Sequence, residues 1–180
     1  MGATRLAFVP GGDSPHHLAF NIPEDRLADA KAWLRGRGVA IVDVDGTDEG
    51  DAGDWDAHMC YFEDPEGHVL ECIARHGLAN ASRAPFGPTS LLDVSEVGVV
   101  VDDVPAAARR LQDALGVPAY RPAGERFAPL GDEHGLLIVV PRGRRWFPTC
   151  RPATGAPIVI EAEGVEKEVE PVPGLRFSSG

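Results

Sequence analysis

The sequence predicts an α+β protein made of two βαβββ modules. Two amphipathic helical stripes occur, and each follows a short strand-like segment and precedes further short strands. A tight-turn signature, Asp-Pro-Glu-Gly at residues 64–67, joins the last two strands of the first unit. A pattern that repeats after roughly 70–80 residues indicates internal duplication. The length of 180 residues suits two small modules that share a core.

The first unit is assigned to residues 15–76. Its helix begins after Pro23, and the spacing of Leu27, Ala30 and Leu34 gives it one apolar face. Gly36 ends the helix, and a polar loop is expected over residues 45–56. The predicted strands cover residues 17–22, 39–44, 58–63 and 68–74.

The second unit, residues 93–162, repeats this order in degenerate form. Asp103 is expected to cap a helix whose apolar stripe runs from Val104 to Leu115, and Gly116 ends it. The predicted strands cover residues 96–101, 117–120, 126–130 and 136–140. Residues 77–92 are assigned as a linker, and residues 163–180 are expected to form a loosely held tail.

The N-terminal segment, residues 1–14, fits neither unit. Residues 5–9 have a strand-like pattern, and Pro-Gly-Gly follows at residues 10–12. We interpret this segment as the last strand of a preceding module, which would need a partner or remain an exposed edge.

Charge and composition exclude several function classes. The net charge is −11, and residues 43–71 contain many acids but no Lys or Arg. The rest of the chain is balanced, so no broad basic face is available and nucleic-acid binding is not expected. We interpret the acidic block as a solvated loop, with a cationic ligand as the alternative.

Hydropathy and cysteine content indicate the cellular compartment in which the protein is expected. The longest apolar runs, residues 97–101 and 136–140, are far below the roughly 18 residues that span a bilayer. No signal-peptide pattern is visible, and three cysteines do not suggest a disulfide scaffold. A reduced cytoplasmic protein without membrane partners is expected.

Strand parity selects two candidate site residues. On the first strand His17 shares a face with Ala19 and Asn21, opposite the apolar residues that must pack under the helix. On the last strand of the first unit, Glu71 shares a face with apolar neighbours such as Ile73. Burying a lone carboxylate is costly, so Glu71 requires a metal, a hydrogen-bond partner or a water-filled cleft.

The sequence at residues 61–71, Tyr-Phe-Glu-Asp-Pro-Glu-Gly-His-Val-Leu-Glu, resembles the vicinal oxygen chelate superfamily. That group includes glyoxalase I, extradiol ring-cleaving dioxygenases, fosfomycin resistance proteins and bleomycin-binding proteins. The resemblance covers roughly residues 15–162 and is stronger in the first module. It implies the glyoxalase/bleomycin resistance/dihydroxybiphenyl dioxygenase type of fold, with each module curling its sheet around a cleft.

The resemblance also implies a metal site formed by first-strand and last-strand side chains of paired modules. Carried onto this chain, the set is His17, Glu71 and Glu96, with the fourth position lost to Val139. One imidazole and two carboxylates can hold a divalent cation, which would be Mn, Ni, Zn, Mg or Fe. No organic cofactor is expected.

Tyr61 and Glu71 are the candidate catalytic residues. Tyr61 stands ten residues before Glu71, a spacing that resembles the active-site tyrosine of extradiol dioxygenases. Its phenol could stabilise an oxyanion or deliver a proton, and the alternative is an ordinary strand aromatic. His58 would need a β-bulge to join the site. Cys60 and Cys72 are expected to be core residues on the helix side.

The sequence is compatible with three functions. The first is metal-dependent lyase or isomerase chemistry on a small substrate with vicinal oxygens. The second is Fe(II) extradiol ring cleavage, which the carboxylate at Glu96 disfavours because that chemistry uses two His and one carboxylate. The third is non-catalytic drug binding of the bleomycin-resistance type.

Two further expectations concern binding partners. The arginine-rich segment 142–146 could bind an anionic group, although a solvated hairpin arm is the simpler interpretation. A homodimer is expected, since module pairing in the superfamily often runs between chains and residues 5–9 leave a strand without a partner.

Overall fold

The computed structural model describes residues 4–9 and 14–180. One seven-stranded mixed sheet and one three-stranded sheet carry two helices. The strands of the large sheet are β1 (His17–Ile22), β2 (Gly50–Ala52), β3 (Ala57–Glu63), β4 (Val69–Arg75), β5 (Asp93–Val101), β6 (Ala128–Asp132) and β7 (Gly135–Pro141). The helices are α1 (Leu27–Arg35) and α2 (Val104–Leu115), and the small sheet contains β8 (Ile158–Ala162), β9 (Val169–Val172) and β10 (Leu175–Ser179).

The strand order of the large sheet, β2-β3-β4-β1-β5-β7-β6, reveals the duplication. In each half the first strand pairs in parallel with the last one, β1 with β4 and β5 with β7, and the hairpins β3–β4 and β6–β7 are antiparallel. The two halves join through antiparallel pairing of β1 with β5. The prediction of an α+β protein with two βαβββ modules is confirmed.

Each helix packs its apolar stripe against the large sheet. α1 buries Leu27, Ala30 and Leu34 against the side of β3 and β4 that carries Cys60 and Cys72. These two cysteines are free and buried, so the prediction that they are core residues is confirmed.

α2 packs against β5, β6 and β7 and begins and ends as predicted. Asp103 Oδ1 accepts a hydrogen bond from the Ala106 backbone at 2.9 Å and so caps the helix. Gly116 follows the last turn with φ of 68°, a left-handed conformation that glycine adopts without steric cost.

The second predicted strand of each unit is largely absent. Residues 39–44 contribute only isolated bridges, and the edge beside β3 is occupied by β2 instead. The chain turns at Asp45 and Gly46, which both have positive φ, and Asp43 accepts the Gly46 N–H. Residues 117–120 likewise make a single bridge, Ala119 to Leu130.

The C-terminal residues differ most from expectation. Residues 163–180 were predicted to form a loose tail, but they supply β9 and β10 of the small sheet. Val172, Leu175 and Phe177 are buried in the same core cluster as the apolar face of α2. The apolar side chains stand at nearly alternate positions and so share one face of the segment. This face packs against α2 and is thereby removed from water.

The N-terminal segment forms no strand over residues 4–9, and residues 10–12 lie outside the described residues. Arg5 pairs with Glu161, and the Phe8 ring lies 6.0 Å from that of His68. The homodimer prediction therefore loses the unpaired strand as support and stays untested. Among the described residues, no helix is both long and apolar enough to cross a membrane.

The packing of the small sheet yields a stability prediction. Phe177 is 6% exposed, and replacing it with Ala should lower the free energy of unfolding by about 3–5 kcal/mol, because it leaves a cavity against α2. Phe8, which is 65% exposed, provides the matched control, and Phe8→Ala should change stability by less than about 0.5 kcal/mol. Urea denaturation measures both, and equal losses would contradict packing of the C-terminal sheet.

Candidate metal centre

A cavity of about 510 Å³ lies on the face of the large sheet opposite the helices. Its volume falls within the range of small-molecule sites in proteins. Polar side chains from the centre of the sheet line it together with aromatic side chains from loops and from the segment after β7. The aromatic group consists of Trp55, Phe127, Trp146 and Phe147.

The three predicted ligand residues converge in this cavity. His17 on β1, Glu71 on β4 and Glu96 on β5 are all buried, and one ligand atom from each lies within 4.8 Å of the other two. His17 Nε2 is 3.7 Å from Glu71 Oε2 and 3.6 Å from Glu96 Oε2. Central β1 is flanked by β4 and β5, so parity and strand order together bring these side chains to one point.

A backbone contact fixes the orientation of the His17 ring. Nδ1 lies 3.2 Å from the carbonyl oxygen of Val69. A carbonyl can only accept, so Nδ1 carries the proton of this hydrogen bond. The other ring nitrogen, Nε2, then faces two carboxylate oxygens, and three electron-rich atoms in one place require a proton or a metal cation between them.

The His17 ring is also held by an aromatic neighbour. Trp146 stacks on it with ring centroids 5.2 Å apart and an interplanar angle of 28°. Gly98 makes this approach feasible, since a Cβ at that position would lie 2.6 Å from Cη2 of Trp146 and 3.1 Å from Cβ of His17. The stack therefore depends on a residue without a side chain in β5.

Arg75 is a site residue that the sequence analysis missed. It is 1% exposed, donates from Nη2 to Glu96 Oε1 at 2.5 Å and from Nε to Ser95 Oγ at 3.0 Å. A bulge in the β1–β5 pairing, where the register shifts after Ala19, lets consecutive residues of β5 both reach it. Arg75 thus holds one oxygen of Glu96 and leaves Oε2 directed at His17.

Parity could have found Arg75. It follows Glu71 by four residues on the same strand and so must share the cavity face. The aromatic rings of Trp55 and Tyr120 lie 5.7 and 6.0 Å from its guanidinium carbon and add cation–π contacts.

Tyr61 lies directly across from Glu71 in the β3–β4 pair. Burial, followed by the negative charges of Glu71 and Glu96, raises the pKa of Tyr61 far above its ordinary value. Burial, followed by the charge of Glu96, likewise raises the pKa of Glu71 well above its ordinary value. Tyr61 is therefore a phenol that can donate a hydrogen bond, beside a carboxylate that burial destabilises.

The fourth position was assigned wrongly to Val139. Val139 is buried in the cluster beneath α2, and Ile138 lines the cavity instead. The strand registers explain the error: Glu71 pairs with Ala19, two residues after His17, and Ile138 pairs with Gly98, two residues after Glu96. An apolar side chain still occupies this place, so the chain itself supplies three ligand side chains there.

His58 lies away from the centre, as strand alternation implied. Its Nδ1 is 2.7 Å from Nε2 of His76, and neither residue lines the cavity. His17 is thus the single histidine that the described residues contribute to the cavity lining.

Part of the acidic block lines the cavity. Asp45, Glu49 and Asp51 line the cavity, whereas Asp48 forms ion pairs with Lys31 and Arg35. The loop lies beside the cavity because β2, which contains Asp51, pairs with β3. All three acids are exposed, as a solvated loop predicts, and they also line the cavity.

The donor set fits a divalent cation. Bonds of about 2.0–2.2 Å place two ligand atoms roughly 3.0–4.2 Å apart, depending on the angle at the metal. The two His17–carboxylate distances, 3.6 and 3.7 Å, lie within that interval, and all three ligand atoms lie within 4.8 Å of one another, slightly wider than a bound ion would hold them. A neutral imidazole and two carboxylates, one of them already paired with Arg75, can hold a divalent ion with little excess charge.

Comparisons with known proteins support the fold. The structure is similar to a candidate dioxygenase from Bacillus subtilis, with a TM-score of 0.51, 17% identity, and 73% of this chain and 42% of that chain covered. It is also similar to a glyoxalase I mutant from Zea mays, with a TM-score of 0.50, 19% identity, and 79% and 48% covered. No family model and no curated protein matches the sequence.

Two conclusions follow from these comparisons. The chain has a fold of the glyoxalase I type, as the resemblance in its sequence predicted. It spans less than half the length of each of the two solved relatives, and identities this low establish the fold alone.

Proposed function

We propose that the chain is a divalent-metal-dependent enzyme of the lyase or isomerase type that acts on a small substrate with two neighbouring oxygen atoms. The observation that carries this proposal is the convergence of His17, Glu71 and Glu96 within 4.8 Å at the base of a cavity. A bound divalent ion would act as a Lewis acid that polarises the substrate oxygens. Three side chains leave coordination positions open for such a substrate.

The surrounding residues support this chemistry by orienting and sequestering the centre. The Val69 carbonyl and the Trp146 ring hold the imidazole of His17, and Arg75 holds the carboxylate of Glu96. Residues so fixed lose little further freedom when a ligand binds. Ile138 and Trp146 add apolar surface to the cavity lining, and apolar walls strengthen electrostatic interactions beside them.

Glu71 and Tyr61 are suited to moving a proton. They face each other across the β3–β4 pair and both line the cavity. We assign Glu71 to accept a proton from the carbon next to a substrate carbonyl, and Tyr61 to donate a hydrogen bond to the oxygen on which negative charge develops. Iron-dependent ring cleavage is less well supported, since His17 is the single histidine among the described lining residues.

A second function, binding of a cationic drug without catalysis, has one specific observation in its favour. Asp45, Glu49 and Asp51 give the cavity an acidic wall, and Glu49 alone of the three forms a side-chain ion pair among the described residues, with Lys31. Such a wall attracts cations into the cavity. Calorimetric titration with bleomycin tests this alternative directly.

Proton exchange tests the enzymatic proposal without knowledge of the natural substrate. Protein loaded with Mn²⁺, Ni²⁺ or Zn²⁺ should catalyse exchange of the carbon-bound protons of glycolaldehyde or dihydroxyacetone in deuterated water, followed by NMR. Glu71→Gln should lower the exchange rate at least about 100-fold, a typical loss when an acid–base group is removed. Exposed Glu66, in the turn after β3, provides the control Glu66→Gln, which should retain the rate. Bleomycin binding without any exchange would favour the binding protein.

A further inference from the structure

Arg144 brings a positive charge to the cavity without a carboxylate partner among the described residues. Its side chain lines the cavity, and its guanidinium carbon lies 5.3 Å from the centre of the Phe127 ring. Burial, followed by the positive charge of Arg126, lowers the pKa of Arg144. No ion pair or side-chain hydrogen bond joins either arginine to an acid in the part of the chain that the structure describes.

The local backbone explains why Arg144 points into the cavity. The Trp146 N–H donates to the Arg151 carbonyl and the Ala153 N–H donates to the Arg144 carbonyl, so the chain runs as a narrow hairpin here. Side chains alternate along such a segment, and buried Trp146 and half-buried Arg144 share one side while Arg145 is exposed. The same wall of the cavity therefore carries Arg144 and the ring that stacks on His17.

Two nearby arginines, Arg142 and Arg151, differ from Arg144 in being paired with acids. Arg142 donates to Asp102, and Arg151 forms a bidentate pair with Glu63. The sequence alone suggested a solvated arm for this whole segment. Arg145 also lacks an acid partner among the described residues, but it is exposed, whereas Arg144 is half-buried and lines the cavity. An unpaired guanidinium beside an aromatic ring matches the way arginine recognises oxyanions, by two parallel N–H donors in a plane.

We propose that Arg144 binds an oxyanion of the ligand, a carboxylate or a phosphate, whose other end reaches His17, Glu71 and Glu96. The contact with that metal centre rests on the proposed function, whereas the anion contact does not. Asp45 and Asp51 on the acidic wall repel an anion, so they favour its placement at Arg144. The substrate class is thereby narrowed to small anionic molecules with vicinal oxygens.

Calorimetric binding of three related probes tests the proposal. Benzoate and phenyl phosphate carry the two candidate anions, and benzyl alcohol is the neutral counterpart. Arg144→Gln should weaken binding of the preferred anion about tenfold or more, as loss of a charged hydrogen bond predicts. The neighbouring Arg145→Gln should weaken it less than about twofold, and benzyl alcohol should bind all variants alike. Whichever anion binds more tightly identifies the group that Arg144 recognises.

Two additional measurements keep the outcomes separate. Arg144→Lys retains the charge and should retain part of the anion affinity, and thermal melts verify that each variant is folded. Mn²⁺ titration of Arg144→Gln should match the unsubstituted protein. If Mn²⁺ binds neither protein while the anion result holds, the proposed function fails and the role of Arg144 stands. Two results would overturn the proposal that Arg144 binds an oxyanion. One is an equal loss of anion affinity in Arg144→Gln and Arg145→Gln, and the other is that neither anion binds more tightly than benzyl alcohol.

Discussion

Replacing Glu71 with Gln is expected to lower the affinity of the protein for Mn²⁺ by about 100-fold or more. The substitution keeps the side-chain size and removes a buried charge that faces His17 Nε2 at 3.7 Å. Removing a residue that hydrogen-bonds to a metal ligand typically lowers metal affinity 10- to 100-fold, and removing a ligand itself should lower it at least as much. Isothermal titration calorimetry with Mn²⁺, Ni²⁺ and Zn²⁺ measures the change.

Glu66→Gln is the matched control for this experiment, because Glu66 is exposed and lies in the turn between β3 and β4. It removes the same charge at a distance from the cavity and should leave the affinity within about twofold. A further readout is thermal stability, which a ligand of the folded state raises by mass action. Equal affinity of the two variants for all three metals would contradict the assignment of Glu71.

Replacing Arg75 with Met is expected to lower the free energy of unfolding by about 3–5 kcal/mol, the loss typical when one partner of a buried ion pair is removed. The variant leaves Glu96, which is 6% exposed, without its partner at 2.5 Å. Chemical denaturation measures the loss. The exposed pair Arg142–Asp102 provides the control, and Arg142→Met should cost about 1 kcal/mol or less.

A double variant separates the ion pair from simple packing. Combining Arg75→Met with Glu96→Gln removes both charges, and it should be more stable than Arg75→Met alone because no uncompensated charge stays buried. The buried pair has a smaller role than we assign to it if Arg142→Met lowers the free energy of unfolding as much as Arg75→Met does. The same holds if the double variant is no more stable than Arg75→Met alone.

The sequence was sufficient to predict the modules and the convergence of three side chains. Parity on β1 and β4 needs only the alternation of side chains, and it placed His17 and Glu71 on one face correctly. Glu96 joined them because duplication sets the first strands of the two halves next to each other. Both inferences rest on local periodicity and on symmetry of the repeat.

What could not be predicted depends on pairing between distant segments. Val139 and Ile138 are adjacent, so their side chains lie on opposite faces of the sheet. Only the observed register of β5 with β7 shows that Ile138, not Val139, occupies the fourth position of the site. The bulge after Ala19, which lets Ser95 and Glu96 both contact Arg75, has no sequence signature of its own. The acidic wall depends likewise on β2 replacing the predicted second strand beside β3.

Diffraction from crystals soaked in Mn²⁺, recorded where manganese scatters anomalously, tests the central claim most directly. We expect one strong anomalous peak within about 2.0–2.6 Å of His17 Nε2 and of one oxygen each from Glu71 and Glu96. The same soak of Glu71→Gln crystals should abolish this peak. A peak at Asp45, Glu49 or Asp51 instead, or no peak between the three side chains at saturating Mn²⁺, would contradict a metal centre at His17, Glu71 and Glu96.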